Sequence, residues 1–260
     1  LNTHARNSVA VLSQAVRQIL KRNPLMPRLI PILLYHQIDI PPVRSAPFRS
    51  FTVHPDAFRR QMNWLKRLGY RGLSLREAMP YIRGEKTGKV AAITFDDGFL
   101  NVYEKALPVL QEHGFTATNF FVANQVGGRN AWDIPFGVAP APCMSATHLR
   151  EWAALGHEVG SHTLDHVHLP QVPFEEAIKQ IAQSREKLQD IIGEAVTSFC
   201  YPYGDENADM RKLARDAGYD YATTTTRRRA GKGDDPFGLP RLTIRCKHTW
   251  LHFLKKCLTR

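Results

Sequence analysis

Val90-Ala91-Ala92-Ile93-Thr94-Phe95-Asp96-Asp97-Gly98 is the stretch that decides how this chain is read. A run of apolar and β-branched residues passes without a charge into two acids and a glycine, the pattern of a buried strand that stops where its backbone turns. Two carboxylates then stand side by side at the strand's carboxyl end. In α/β architectures that edge is where ligands bind and catalytic groups collect, because the loops there rest on a rigid sheet. Asp-Gly is also a common turn signal, so the pentapeptide Thr94–Gly98 admits a structural reading beside the chemical one. The choice depends on what partners the rest of the chain supplies.

Working outward, Ile32-Leu33-Leu34-Tyr35-His36 reads as another short buried strand that ends on a chemistry-bearing side chain. Pro55 opens a helix with Phe58, Met62, Leu65 and Leu68 on one face and Gly69 at its close, and Ser74-x-x-Glu77 is a capping box for a second helix. Beyond the central strand, a helix over 102–112 contains Pro108 and is expected to kink. The strand 117–122, a long loop over 124–142 bearing Trp132, and a helix capped by Ser145 follow. A strand 158–161 runs into His162, and Pro173 starts the longest helix, with Ile178, Ile181, Leu188, Ile191 and Ile192 at helical spacing. The strand 196–201 ends in Pro202-Tyr203-Gly204, and a helix over 208–217, strands 221–224 and 239–244 and a helix from Trp250 complete the chain. Strands and helices alternate through most of the length, which predicts a parallel sheet, open or closed into a barrel.

At 260 residues the chain holds one large barrel or two modest domains. With 43% hydrophobic and 23% charged residues it is globular rather than disordered. The 35 Lys and Arg against 24 Asp and Glu give a net charge of +11, which fits either an anionic partner or a solubilising surface. No zinc finger, RNP or KH signature is present, so nucleic acid is not the expected partner. Cys143, Cys200, Cys246 and Cys257 form no Cys-x-x-Cys pair, a pattern that fits a reducing compartment.

No apolar run reaches membrane-spanning length. The segment 9–20 is interrupted by Gln14, Arg17 and Gln18 and does not read as a signal-peptide core. It reads as a basic amphipathic helix that packs on the domain or lies on an anionic membrane surface. The expected location is cytoplasmic or peripheral to the inner membrane, with export left open. The expected divisions are an N-terminal helix and linker over 1–30, a catalytic domain over 31–247 and a C-terminal helical segment over 248–260. Nothing in the sequence speaks to oligomeric state.

The second chemical feature is Gly160-Ser161-His162-Thr163-Leu164-Asp165-His166. Two imidazoles four residues apart can share a metal from a helix face or a tight loop, and Gly160 with the strand-like approach favours the loop. His157-Glu158 invites comparison with His-Glu-x-x-His, but the fourth residue after His157 is Ser161, so that pattern fails. Joined to the Asp96–Asp97 pair, the histidines complete a set of one carboxylate and two imidazoles, with a second carboxylate to spare as a base. Three protein ligands leave an open position for water, as a hydrolytic metal centre requires.

Thr94-Phe95-Asp96-Asp97-Gly98, Ser161-His162-Thr163-x-x-His166 and Tyr201-Pro202-Tyr203-Gly204, in that order, resemble the successive motifs of polysaccharide deacetylases, the NodB-homology or carbohydrate esterase family 4 group. The similarity runs from about Pro31 to Ile244. It implies a distorted (β/α) barrel of NodB-homology type and a hydrolase that removes N-acetyl groups from an amino-sugar polysaccharide or glycolipid. It further implies Asp96 as general base, Asp97, His162 and His166 as ligands of a divalent metal, most plausibly Zn²⁺, and the backbone N–H of Tyr203 as an oxyanion donor.

Two departures stand out against the family pattern. Cys200 occupies a position at which many members carry an Arg that orients the catalytic Asp, and no late Leu-x-His motif for the acid is found. Leu34-Tyr35-His36 is instead similar to the poly-N-acetylglucosamine deacetylase branch, whose acid histidine lies early, so His36 is the candidate acid; its structural alternative is a ring tied to backbone at a strand end. His168, His248 and His157 are secondary candidates. Arg241, in Leu239-Pro240-Arg241-Leu242, is the candidate to replace the missing Arg by pairing with Asp96, and is grouped with Tyr203 and Trp132 as a residue on the substrate side. Trp132 offers a sugar-stacking face or a core contact. The alternative function is a catalytically silent module that holds glycan or anionic lipid on the same barrel, and a lipid-linked or nucleotide sugar is a further substrate option.

Overall fold

The computed structural model describes residues 29–258. The amphipathic helix expected over 9–20, and nearly all of segment 1–30, lie outside them. Strand β1 (Ile32–Tyr35) leads through two short strands, β2 (Gln37–Ile38) and β3 (Thr52–Val53), to helix α1 (Pro55–Arg67), then β4 (Arg71–Leu73), α2 (Leu75–Ile82) and β5 (Val90–Phe95). A π-turn over Val102–Ala106 enters α3 (Leu107–His113), followed by β6 (Thr118–Phe121), α4 (Ala146–Ala154), β7 (Glu158–Ser161) and α5 (Phe174–Ile192). Then come β8 (Ser198–Cys200), α6 (Ala208–Asp216), β9 (Tyr221–Thr223), β10 (Leu242–Thr243) and α7 (Trp250–Leu258).

Eight strands form one parallel sheet in the order β10-β1-β5-β6-β7-β8-β9, with β4 also on β5. One edge of β5 pairs with β1 from Ile32↔Ala92 to Tyr35↔Phe95. The other is shared, its first half by β4 and its end by β6. Segment 239–243 curls the sheet into a distorted (β/α) barrel by serving both of its margins. Leu239 N–H donates to Ala222 O and Thr224 N–H donates to Leu239 O on the β9 side, while Leu242 and Thr243 pair with β1. The single strand expected over 239–244 is therefore divided. It changes partner at Pro240-Arg241, where proline has no N–H to continue a ladder.

Alternation along the strands sorts the core into two sides. Leu33, Tyr35, Ala91, Ile93 and Phe95 belong to a large cluster with the helices, whereas Ile32, Val90 and Ala92 join Phe120, Cys200 and Leu239 in a second cluster inside the barrel. Asp96 continues the inward series after Ala92 and Thr94. The helices follow their end signals: Pro55 at the start of α1 with His54 Nδ1 accepting from Asp56 N–H, and Ser74 accepting from Glu77 N–H in α2. Pro108 has no N–H for an i→i−4 bond, and the expected kink takes the form of the π-turn before α3. In α5 the buried face is Ala177, Gln180, Ile181, Ser184 and Leu188, while Ile178, expected on it, is exposed. Helix α7 buries Phe253 and Cys257 in the large cluster, and its Trp250 stacks on Trp64 of α1 at 5.8 Å.

Candidate active site

The backbone turns at once after β5: Asp97 (φ 76°) and Gly98 (φ 69°) both adopt left-handed conformations. A Cβ at Gly98 would lie 2.5 Å from Phe121 Cδ1, so only glycine lets this turn pack against β6. Leu100 N–H donates to Pro142 O and Met144 N–H to Gly98 O, which pins the turn under the end of the long loop. The two acids thereby leave β5 in different directions and meet different partners.

Asp96 meets Arg241. Arg241 Nη1 donates to Asp96 Oδ1 and Nη2 to Oδ2, both at 2.7 Å. The remaining donors reach Thr94 Oγ1 (3.2 Å), Cys200 Sγ (3.1 Å) and Thr224 O (3.0 Å), so all five N–H groups are engaged inside the barrel. Burial pushes the Asp96 carboxyl up, but the charge and hydrogen bonds of Arg241 outweigh it and hold the group below the usual carboxylate range. Asp96 Oδ2 also accepts from Cys200 Sγ at 3.6 Å, whereas Oδ1 has Arg241 as its one donor among the described residues and keeps a lone pair for a proton. Arg241 is itself wholly buried with no donor left over. Its grouping with substrate-side residues is thus corrected: it acts on Asp96, from the position just before β10, beside the small Cys200 side chain.

Asp97 meets the two histidines. Its Oδ1 lies 3.5 Å from His162 Nε2 and 3.4 Å from His166 Nε2, and is buried without a hydrogen-bond partner. His162 Nδ1 is 2.7 Å from the carbonyl of Cys200, which assigns the proton to Nδ1 and turns the Nε2 lone pair toward Asp97. Burial raises the Asp97 carboxyl, yet His166, His36 and His162 hold it well below its ordinary value. One ligand atom from each of Asp97, His162 and His166 lies within 4.8 Å of the others. An orphaned buried carboxylate oxygen facing imidazole nitrogens is a donor set that fits a divalent cation. Asp96, His162 and Cys200 are equally close together, but a cation there would face the Arg241 guanidinium, which occupies both Asp96 oxygens and touches the sulfur.

The histidine segment is a loop, as its sequence predicts. Thr163 (φ 67°) and His166 (φ 59°) are left-handed, and His166 N–H donates to Thr163 Oγ1 at 2.9 Å. Buried Gln180 of α5 holds this loop from behind: its Oε1 accepts from Leu164 and Asp165 N–H, and its Nε2 donates to Asp165 Oδ2. Sequence reasoning missed Gln180, whose only signal is an amide on the apolar face of a helix.

A cavity of about 690 Å³ opens over these groups, and its lining includes Asp96, Asp97, His36, His162, His166 and Tyr203. Trp132 also faces it, half-buried and stacked on His166 with centroids 4.8 Å apart. Its core-packing alternative is set aside by that exposure. Tyr203, left-handed at φ 61°, stacks on His168 at 3.7 Å and meets His166 edge-on. His36 lies against Phe51 at 4.6 Å, and its buried Nδ1 has no hydrogen-bond partner, so backbone does not tie it there. Asn101 steadies the following residues, accepting from Ile38 N–H and donating to Gln37. Burial pushes the His36 imidazole down, against the pull of Asp97 and Asp96.

The secondary histidines go elsewhere. His168 Nδ1 pairs with Asp205 at 2.6 Å, His157 packs on Trp152, and His248 Nδ1 accepts from Arg245 N–H. Asp133, which carries no motif, lines the cavity and is pushed up to about 6 by burial, with Asp97 adding to the shift. The non-glycine residues with positive φ among those described are Phe48, Asp97, Thr163, His166 and Tyr203. Four of the five line the cavity and Thr163 lies in the loop between two that do, the clustering of backbone strain expected at a functional site.

Fold and site together define a hydrolase-like barrel with a carboxylate–histidine centre at the carboxyl ends of its strands. The sequence model of the polysaccharide deacetylase family matches residues 83–222, and the chain belongs to that family. It is similar to YxkH of Bacillus subtilis (strain 168), at 28% identity over 84% of this chain and 72% of that protein. It is also similar to poly-beta-1,6-N-acetyl-D-glucosamine N-deacetylase of Staphylococcus aureus (strain MRSA252), at 26% identity over 77% of this chain and 70% of that one. Among solved structures, IcaB from Ammonifex degensii superposes with a TM-score of 0.75 at 25% identity, covering 88% of this chain and 95% of IcaB. The barrel is thus of the NodB-homology type implied by the motifs.

Proposed function

We propose that the chain is a divalent-metal-dependent hydrolase that removes N-acetyl groups from amino sugars of a polysaccharide or glycolipid. The observation that carries the reading is the buried, unpartnered Oδ1 of Asp97 facing the Nε2 atoms of His162 and His166. Those three residues would hold the cation, and their two-imidazole, one-carboxylate donor set suits Zn²⁺. A bound cation would supply Lewis-acid polarisation of the amide carbonyl and a lowered pKa for water.

The chain's own residues supply the proton transfers. Asp96, kept ionised by Arg241, accepts a proton from the attacking water at a carboxylate oxygen. His36 delivers a proton to the departing amine nitrogen. It has this role because, of the three imidazoles lining the cavity, His162 and His166 are committed to Asp97. Trp132 and Tyr203 give the sugar two aromatic walls, and the backbone N–H of Tyr203, on the cavity lining, would serve as the oxyanion donor. The name of the Staphylococcus aureus relative supports β-1,6-linked N-acetylglucosamine oligomers as the first substrate to test.

Amine release from those oligomers, assayed with zinc-loaded protein and again with chelator, tests the reading. Release that stops with chelator and returns with metal is expected; undiminished release without metal would exclude it. His36→Gln is expected to lower the rate and remove the alkaline limb of the pH–rate profile, and an unchanged limb would exclude His36 as the acid.

A further inference from the structure

Among the cavity-lining residues that take no part in the chemistry described above are three arginines, Arg49, Arg227 and Arg245. Among the described residues, the ion pairs that involve arginine use Arg59, Arg211, Arg215, Arg228 and Arg241, and none of these three. The contacts of Arg49 and Arg245 are with neutral groups. Arg49 donates to Pro42 O (2.7 Å) and Cys246 Sγ (3.2 Å); Arg245 donates to Ser50 Oγ (3.3 Å) and lies 4.9 Å over the Phe51 ring.

The cations converge because of how the barrel closes. Cys246 N–H donates to Ser50 O, which joins the 49–51 turn to the chain leaving β10 and sets Arg49 beside Arg245. Arg241 N–H donates to Thr226 O, which brings the loop after β9, with Arg227, to the same side. Helix α7 adds Lys256 behind them, held below its ordinary range by burial and by Arg227 and Arg245. Among the described residues no carboxylate is ion-paired with these three arginines; of the acids on the same cavity lining, Asp39 pairs with Lys105, Asp96 with Arg241, and Asp97 faces His162 and His166.

Like charges gathered on one cavity wall make a seat that an anion completes. Three guanidinium forks suit a tetrahedral phosphate with several acceptor oxygens better than a planar carboxylate, which one fork satisfies. We infer that the cavity takes an N-acetylated amino sugar bearing a phosphate, with the phosphate among Arg49, Arg227 and Arg245 and the acetamido group at Asp97, His162 and His166. This deepens the deacetylase reading and rests on it. The phosphate belongs either to a soluble sugar phosphate or to a lipid carrier, for which exposed Ile40 and Phe48, also on the cavity lining, would provide an apolar shelf.

Steady-state deacetylation by the zinc-loaded full chain is compared for a β-1,6-linked N-acetylglucosamine disaccharide, the same disaccharide as its 1-phosphate, and the 1-phosphate esterified to a ten-carbon alkyl chain. Binding of inorganic pyrophosphate is measured in parallel by calorimetry, which needs no turnover. A kcat/KM at least about tenfold higher for the phosphorylated sugar is expected, weakening with salt, and Arg245→Gln with Arg227→Gln should abolish that preference and the pyrophosphate binding. A further gain with the alkyl ester assigns the lipid source; equal rates for the two phosphorylated sugars assign the soluble one. Deacetylation that proceeds equally on the neutral sugar, without pyrophosphate binding, overturns the phosphate seat and leaves the deacetylase reading standing. Arginine-dependent pyrophosphate binding without deacetylation of any of the three sugars does the reverse.

Discussion

The two ends of the barrel treat buried polar atoms in opposite ways. At the amino end, Glu158 opens β7 and is 2% exposed, yet its carboxylate is well satisfied. Oε2 accepts from Thr118 Oγ1 (2.6 Å) and Arg76 N–H (2.8 Å), and Oε1 accepts from Tyr221 Oη (2.9 Å). One acid thus joins the first residues of β6, β7 and β9 to the start of α2. At the carboxyl end, Asp97 Oδ1, His36 Nδ1 and His166 Nδ1 are buried without hydrogen-bond partners, and the backbone is left-handed at Asp97, His166 and Tyr203. Among the described residues the amino end has an orphan in Ser198 Oγ, but no comparable group of ionisable atoms. A satisfied network holds strands together, whereas unpartnered ionisable groups destabilise the fold and are retained where a ligand completes them.

That contrast is open to direct tests. The largest effect is expected from Asp97→Ala, which should cut amine release about 10³-fold through loss of a cation worth several kcal/mol, while the melting temperature of metal-free protein holds or rises. A large fall in that melting temperature would mean that Asp97 is structural, like Glu158. Arg241→Met should both slow the reaction and destabilise the fold by about 3 kcal/mol or more in urea titration, because it strands the Asp96 charge. Adding Asp96→Asn to that variant should recover stability but not activity.

A pH effect of about 3 kcal/mol is expected at His157, far from the cavity. Burial pushes this imidazole down to about 4, and its Nδ1 accepts from Ala117 N–H. The unfolded chain therefore binds the proton more readily, so the stability contributed above about pH 6.5 is lost as pH falls toward 4. Urea titrations at several pH values should show that slope in the wild type and not in His157→Phe. Smallest, Glu158→Gln should cost about 1–3 kcal/mol by misplacing one acceptor, with kcat unchanged. A change in kcat there would join the two ends that the comparison separates.

Much of this was legible in sequence because the main strands announce themselves. Val90–Phe95 and Glu158–Ser161 end on the acids and histidines of the site, so reading strand ends amounts to reading the site. The two-residue strands β2 and β3 carry no period and were not foreseen. Segment 239–244 has strand composition, but its switch between two partners depends on barrel closure, a long-range fact. The same closure explains Arg241: its alignment with Asp96 needs β10 to return beside β1 and β5, which no local pattern encodes. Arg49, Arg227 and Arg245 come from three separate loops, and Gln180 from a helix face, so only the folded chain brings them to the cavity and its supporting loop.

The metal centre is tested most directly by titrating metal-free protein with Zn²⁺ while following amine release from β-1,6-linked N-acetylglucosamine oligomers. Stoichiometric binding that restores turnover, with both lost in Asp97→Ala, is the expected result. Full turnover by metal-free protein, or stoichiometric binding and turnover that survive in Asp97→Ala, would contradict it.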